Sequence, residues 1–143
     1  MAAAWTADDI PDQSGRIVLV TGATSGLGLA SAEALAGRGA RVLLGARSPA
    51  KGEAALRSVA ARATGAAPEV VDLDLAALSS VRACAAEVAG RLGHLDVVCN
   101  NAGVMAVPLA RTADGFESHF GVNHLGHFAL TGLLLPLLAA APA

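Results

Sequence analysis

Three closely spaced glycines directly follow a short apolar run, a pattern suited to binding a bulky anion. Gly22, Gly26 and Gly28 follow the spacing G-x-x-x-G-x-G, and residues 17–20 are all apolar, three of them β-branched. Glycine permits a positive φ and lets a ligand approach the backbone closely. A helix that begins inside the motif would direct its unpaired N–H groups at that anion. The pattern predicts a buried strand, a tight turn and a phosphate-binding helix start; a turn without a ligand is the alternative.

A single arginine stands where dinucleotide sites distinguish one cofactor from another, about 20 residues beyond the glycine turn. Arg47 follows Gly28 by nineteen residues, and no acidic residue ends the second predicted strand. A carboxylate there would bond a free ribose 2′-hydroxyl, whereas a guanidinium directs two donors at a 2′-phosphate. We therefore predict that Arg47, with help from Lys51, makes the site prefer NADP over NAD. An ordinary solvated arginine is the alternative.

Two aspartates and three histidines are further candidates for chemistry. Strand alternation directs Asp72 and Asp74 to the same side, where one could accept a hydrogen bond from an adenine amino group. The alternative for each aspartate, equally compatible with the sequence, is that it caps a helix or faces solvent. We expect no carboxylate or cysteine to lie near His119, His124 and His127 and complete a metal site. We therefore expect these three side chains to pack and to form local hydrogen bonds.

Strands and helices alternate along the chain. The predicted strands are 17–21, 41–46, 69–73 and 95–99, and the predicted helices are 26–36, 49–63, 78–92 and 115–141, the last bent or interrupted around 123–126. This alternation predicts right-handed crossovers and a doubly wound parallel α/β sheet with helices on both faces. With four strands the expected order is 3-2-1-4, so the glycine turn and residues 100–103 would meet at one crevice.

Composition limits the class of protein. The chain has 143 residues, 54% of them hydrophobic, and a formal net charge of −2, which suits one globular domain and argues against a nucleic-acid partner. Two cysteines, Cys84 and Cys99, fit a reducing compartment. Residues 1–9 have neither the basic nor the apolar region of a signal peptide, and polar residues divide the apolar stretch 118–143. We expect a soluble cytoplasmic protein without a membrane span.

Five motifs occur in a fixed order along the chain. They are T-G-A-T-S-G-L-G, A-R-S-P-A-K-G, D-L-D-L-A-A-L-S-S-V-R, N-N-A-G-V-M and F-G-V-N-H-L-G-H-F. Together they resemble the short-chain dehydrogenase/reductase family, most closely the branch with the retinol dehydrogenases and the WW-domain oxidoreductase. The turn composition of residues 11–15 separately predicts an N-terminal arm (1–15). The resemblance implies a Rossmann NAD(P)-binding domain (16–143) and an NADP-dependent oxidoreductase acting on an alcohol or carbonyl substrate.

The resemblance also implies roles for residues at matching positions. The pyrophosphate loop would contain Thr21, Gly22, Ser25, Gly26, Leu27 and Gly28. Arg47 would meet the 2′-phosphate, and Asp74 with Leu75 would meet the adenine. Asn101, Ala102 and Gly103 would steady the fourth strand and flank the adenine ribose. Asn123 resembles the family's catalytic asparagine, whose backbone carbonyl holds a water of the proton relay.

The family's acid/base pair has no counterpart in this chain. In the family a serine follows the fifth strand and a Tyr-x-x-x-Lys lies on the next helix, but this sequence has no tyrosine and its only lysine is Lys51. We therefore expect the NADP-binding portion of such an enzyme, truncated before the catalytic half and inactive by itself. A non-catalytic NADP-binding sensor or interaction module is the alternative. The fourth strand as a sheet edge and the leucine-rich last helix predict homo-oligomers or aggregation.

Overall fold

The computed structural model describes residues 4–142, which form a four-stranded parallel sheet covered by helices. The strands are β1 (Ile17–Thr21), β2 (Arg41–Ala46), β3 (Glu69–Asp72) and β4 (Val97–Cys99). The helices are α1 (Gly26–Gly37), α2 (Pro49–Ala60), α3 (Leu78–Arg91) and α4 (His127–Ala139), and a π-helical segment (Phe120–Gly126) precedes α4. The sheet order is β3-β2-β1-β4. The predicted α/β class and strand order are confirmed.

The core lies in two layers, one on each face of the sheet. Because successive strand residues point to opposite faces, neighbouring side chains of one strand enter different layers. Val18 and Val20 of β1 pack against the α1 and α2 layer, which includes Ala32 and Val59. Leu19 of β1 packs on the other side against residues of α3 and α4. The unbroken apolar runs of the strands are thus explained by burial on both faces.

Ser48 and Pro49 place the start of α2 where the sequence predicts it. Ser48 is the N-cap residue, and its hydroxyl accepts a long hydrogen bond (3.5 Å) from the Lys51 amide. Pro49 occupies the first turn, where its missing N–H costs nothing. This start fixes Arg47 in the short connection between β2 and α2.

The last helical region begins later than predicted because a tight turn precedes it. Gly115 has a φ of +85°, and Arg111 forms an isolated antiparallel bridge with Glu117. Helical backbone begins at residue 118. The Glu117 carboxylate accepts hydrogen bonds from the His119 and Phe120 amides, and these bonds lower the pKa of Glu117 to about 2.

The predicted interruption at 123–126 is instead a π-helical segment that continues into α4. A Cβ on Gly126 would lie 2.6 Å from the Leu75 carbonyl oxygen, so this glycine lets the segment pack directly on the loop after β3. Phe120–Ala139 thereby forms one 20-residue helix with a mean hydropathy of 1.3. By length and composition alone this helix could cross a membrane, and 22% of its most apolar part is buried inside the protein.

Candidate functional site

A cavity of about 500 Å³ lies at the carboxyl ends of the four strands. The predicted cofactor-binding residues that line it are Gly22, Ser25, Leu27, Gly28, Arg47, Asp74, Leu75, Asn101, Ala102 and Gly103. Lys51 also lines it. Among these predicted residues, the structure brings together positions up to 81 apart in the sequence, from Gly22 to Gly103.

The glycine turn packs so closely on the loop after β4 that side chains cannot fit between them. Gly22 has a φ of +65°, and a Cβ on it would lie 2.8 Å from the Ala102 Cα. A Cβ on Gly28 would lie 2.4 Å from the Gly22 carbonyl oxygen and 2.4 Å from Asn101 Nδ2. Glycine is thus required at both positions by packing within the protein, and this packing leaves the backbone of the turn open to the cavity.

The start of α1 provides hydrogen-bond donors at the cavity wall. Ser25 is the N-cap residue of α1, and in the described part of the chain its side chain makes no capping hydrogen bond. The amides of the first turn and the positive end of the helix dipole therefore remain available to an anion. Arg47 and Lys51 add two exposed cations to the same cavity, whereas Asp74 is the acidic residue that lines it. This arrangement fits a ligand with several phosphate oxygens.

Thr21 lies behind the cavity and joins the ends of β1 and β4. Its side chain is fully buried (0% exposed), and its hydroxyl oxygen accepts hydrogen bonds from the amides of Asn101 and Ala102, both at 3.0 Å. Asn101 Nδ2 donates in return to the Thr21 carbonyl oxygen at 3.0 Å. Thr21 and Gly26 do not line the cavity. Thr21 instead holds the glycine turn against the loop after β4 from behind, and we call this set of hydrogen bonds the Thr21 brace.

Replacing Thr21 with valine is expected to lower the free energy of unfolding by about 1–3 kcal/mol, the usual cost of an unpaired buried polar group. The Ala102 amide would lose the hydroxyl that it bonds to, whereas the Asn101 amide also reaches the Cys99 carbonyl oxygen at 2.8 Å. Urea unfolding measures the loss, and Thr21→Ser, which keeps the hydroxyl, is the matched control. Equal stability of the two variants would contradict the brace.

Asn123 lies at a second cavity, of about 360 Å³, which Asn100, His127 and Thr131 also line. The Asn123 side chain is occupied by the backbone of one residue: Oδ1 accepts from the Val104 amide at 2.8 Å, and Nδ2 donates to the Val104 carbonyl oxygen at 2.9 Å. The backbone carbonyl oxygen of Asn123 lies 3.1 Å from His127 Nδ1 and keeps a second lone pair for another donor. The structure separates this residue from the first cavity, whose wall includes its neighbour Val122.

The two aspartates differ in their surroundings. Asp72 is exposed at the end of β3, and it is not among the lining residues. Asp74 lines the cavity, but one of its oxygens accepts a hydrogen bond from the Ala76 amide at 2.9 Å. The Asp74 amide donates to Ser80 Oγ at 2.9 Å, so Asp74 closes a local turn before α3, whose N-cap residue is Ala77, and it still lines the cavity.

The three histidines occupy separate environments. His119 Nδ1 lies 2.8 Å from a Glu117 oxygen, so the expectation of no nearby carboxylate is wrong for this residue. The His124 ring stacks between Phe120 and Phe128, with centroid distances of 5.2 and 6.1 Å. His127 is buried against Thr21. Within residues 4–142 no three histidine, cysteine or acidic side chains are grouped to hold a metal.

Some residues of the cavity wall were missed by sequence reasoning. They are Thr24, Gly45, Ala46, Ser48, Leu73, Val104 and Val122. Thr24 and Ser48 stand inside the quoted motifs, so their place beside the predicted site residues was a usable signal. Val122 also stands inside a quoted motif, but its place at this cavity depends on how the π-helical segment packs on the loop after β3.

Comparison with known proteins identifies close relatives. Residues 16–143 match the family model described as short chain dehydrogenase. Mouse retinol dehydrogenase 14 is 51% identical over 140 residues, covering 90% of this chain and 42% of the relative. Mouse retinol dehydrogenase 11 is 50% identical over 124 residues, covering 87% of this chain and 39% of the relative. The chain thus spans about two fifths of the length of these curated relatives.

Solved structures share the fold. A protein of uncharacterised function from Mycobacterium paratuberculosis is 52% identical, with a TM-score of 0.83, and the match covers 94% of this chain and 47% of that one. RhlG of Pseudomonas aeruginosa, solved as an active-site complex with NADP, is 30% identical with a TM-score of 0.78, and the match covers 92% of this chain and 52% of that one.

The prediction of a soluble cytoplasmic protein is wrong. It treated the polar residues of the stretch 118–143 as ending the apolar run, but the structure places them within one continuous helix, Phe120–Ala139, that is long enough to cross a membrane. The relatives are dehydrogenases named for retinol, a fat-soluble alcohol. A soluble cytoplasmic location is therefore not supported.

Proposed function

We propose, from the premise that this chain belongs to the short-chain dehydrogenase family, that its main cavity binds NADP(H). The observation that carries the proposal is the cradle formed by Gly22, Gly28 and the start of α1, where a Cβ would collide with the turn and where the first residues of the helix line the cavity. The NADP bound to the Pseudomonas aeruginosa relative supports the same class of ligand. Residues 16–143 are accordingly proposed as the NAD(P)-binding domain.

Individual roles are proposed from the resemblance together with the residues that line the cavity. The pyrophosphate would lie against the turn formed by Gly22, Ser25, Gly26, Leu27 and Gly28, with Thr21 bracing the turn from behind. Asp74 and Leu75, which follow β3, would contact the adenine. Asn101, Ala102 and Gly103, which follow β4, would flank the adenine ribose.

A preference for NADP over NAD is proposed from the charges at the end of β2. Arg47 and Lys51 are both exposed on the cavity wall, and Ala46, the residue before Arg47, carries no charge. A guanidinium can donate two parallel hydrogen bonds to a 2′-phosphate, whereas the NAD ribose offers only a neutral hydroxyl. The charge difference between the two cofactors would therefore favour NADP(H).

The whole protein is proposed to be an oxidoreductase acting on an alcohol or carbonyl compound. When bound, the nicotinamide ring supplies or accepts the hydride. The residues of this chain would bind and orient the dinucleotide, and the Asn123 backbone carbonyl would hold a proton-carrying water near the reacting group. The names of the curated relatives support an alcohol as the substrate class.

A fluorescence titration of the purified 143-residue chain tests the proposal. We expect saturable binding of NADPH with one site per chain, and weaker binding of NADH. No saturable binding up to millimolar NADPH by a folded chain would overturn the proposed function, and equal affinities for NADPH and NADH would overturn the proposed preference.

Self-association is also proposed, through β4 and the last helix. β4 is an outer strand of the sheet, paired with β1 alone in the described structure, so its other edge is open. The last helix exposes large apolar side chains beside it, including Phe128 (71% exposed) and Leu135 (58% exposed). Sedimentation velocity should detect species heavier than the 14.1 kDa monomer, and a monomer at all concentrations would contradict the proposal.

A further inference from the structure

His127 completes a ring of hydrogen bonds between the glycine turn and the helix that carries Asn123. The hydrogen-bond ring consists of Thr21, residues 101–104, Asn123 and His127. Thr21 holds the amides of Asn101 and Ala102, and the Asn123 side chain holds both backbone groups of Val104. The buried His127 imidazole (6% exposed) joins these two attachments, with Nε2 2.9 Å from Thr21 Oγ1 and Nδ1 3.1 Å from the Asn123 carbonyl oxygen.

The π-helical segment explains why a side chain reaches that carbonyl. In a regular α-helix the amide of residue 127 would donate to the carbonyl oxygen of residue 123. Here the His127 amide donates to the His124 carbonyl oxygen instead. The imidazole of the same residue reaches the Asn123 oxygen in place of its own amide. Wide turns of this kind inside helices occur frequently at functional sites.

Counting donors and acceptors determines the tautomer of His127. A carbonyl oxygen only accepts hydrogen bonds, so Nδ1 must carry the proton that it donates to Asn123. The Thr21 oxygen already accepts from two amides, so its own hydrogen must be donated onward. The nearer acceptor is His127 Nε2 at 2.9 Å, compared with 3.2 Å for the Cys99 carbonyl oxygen. The network is complete when the imidazole is neutral and protonated at Nδ1.

We propose that His127 is a positioning residue that, as the neutral Nδ1–H tautomer, fixes the Asn123 backbone carbonyl relative to the Thr21 brace. The proposal rests on the proposed function for the roles of the glycine turn and of the Asn123 carbonyl. The hydrogen-bond ring itself requires no cofactor. His127 thereby holds the dinucleotide turn and the proposed proton-relay carbonyl in one fixed geometry.

Long-range ¹H–¹⁵N spectra of the full chain at pH 8, without cofactor, test the tautomer directly. The chain has four histidines, and His94→Gln, His119→Gln and His124→Gln each remove one signal, leaving His127 assigned. We expect His127 to show a protonated Nδ1 and an unprotonated Nε2. A protonated Nε2, or signals averaged between the two tautomers, would overturn the proposal.

Two variants separate the two contacts of the ring. In His127→Asn the side-chain amide nitrogen replaces Nδ1, whereas in His127→Gln it replaces Nε2. We expect the Asn123 carbonyl ¹³C resonance to stay at its wild-type position in His127→Asn and to move upfield in His127→Gln, because only the first variant keeps a donor for that oxygen. A merely structural histidine would give no such difference, so identical Asn123 resonances in both variants would overturn the positioning role.

The proposed function and the positioning role of His127 can be contradicted independently of each other. If neither variant folds, the wild-type tautomer still decides the inference, since it needs only the native chain. A chain that shows the Nδ1–H tautomer and the expected split between the variants but does not bind NADPH would contradict the proposed function alone.

Discussion

Gly28→Ala is expected to weaken NADPH binding by about ten- to a hundredfold, because the turn can restore its cofactor-binding geometry only by accepting about 1–3 kcal/mol of overpacking. The added Cβ would lie 2.4 Å from both the Gly22 carbonyl oxygen and Asn101 Nδ2. Asn101 is itself held by Thr21, so the turn must move rather than the neighbour. Overpacking of this kind also lowers the free energy of unfolding by about 1–3 kcal/mol. Fluorescence titration and urea unfolding measure the two effects.

Gly132→Ala is the matched control for this change. Gly132 lies inside α4, and a Cβ there would meet nothing within 4 Å. The same substitution should therefore leave NADPH affinity unchanged and stabilise the helix by about 0.5–1 kcal/mol. NADPH binding by Gly28→Ala as tight as that by Gly132→Ala would show that the close packing at Gly28 has no part in forming the site.

Arg47→Asp is expected to reverse the preference between the two cofactors. The aspartate would repel a 2′-phosphate and accept a hydrogen bond from a free 2′-hydroxyl. Loss of a charge-assisted pair and gain of repulsion together amount to about 3 kcal/mol, so the ratio of NADPH to NADH affinity should fall by about a hundredfold. Titrations of the same preparation with NADPH and NADH measure this ratio.

Arg82→Asp makes the same change of charge at an exposed position on α3, outside the cavity wall. It should leave the ratio of the two affinities as in the wild type. A ratio that is unchanged in Arg47→Asp, or that falls equally in both variants, would show that Arg47 does not distinguish the cofactors.

The sheet and the position of its cavity could be predicted because local patterns determine them. Strands buried on both faces appear as unbroken apolar runs, such as residues 17–20, and right-handed crossovers then restrict the order of the strands. The glycine spacing identifies the turn after β1. Parallel strands place all their carboxyl ends at one edge, which is why residues as distant as Gly22 and Gly103 line one cavity.

The last helical region could not be predicted in detail because distant contacts shape it. Its start depends on the Arg111–Glu117 bridge, and its π-helical segment packs through Gly126 against the Leu75 carbonyl oxygen. Neither contact leaves a periodic signal in the sequence. The same uncertainty caused the error on cellular location, since the polar residues counted as interruptions lie within one continuous helix.

The roles of Thr21 and His127 were also beyond sequence reasoning. The resemblance placed Thr21 in the pyrophosphate loop, but its hydroxyl faces the Asn101 loop and His127 rather than the cavity. His127 was expected only to pack and make local hydrogen bonds, yet one of its two partners lies 106 residues away. Such contacts follow from the three-dimensional arrangement and have no local pattern.

Binding of a phosphorylated dinucleotide at the glycine turn is tested most directly by adding NADPH to the ¹⁵N-labelled chain and following its backbone amide resonances. We expect the resonances that move to lie at Gly22–Gly28, Arg47–Lys51, Asp74–Leu75 and Asn101–Gly103, and to saturate together. Resonances that stay fixed up to millimolar NADPH, or that move only along β4 and the last helix, would contradict the proposed site.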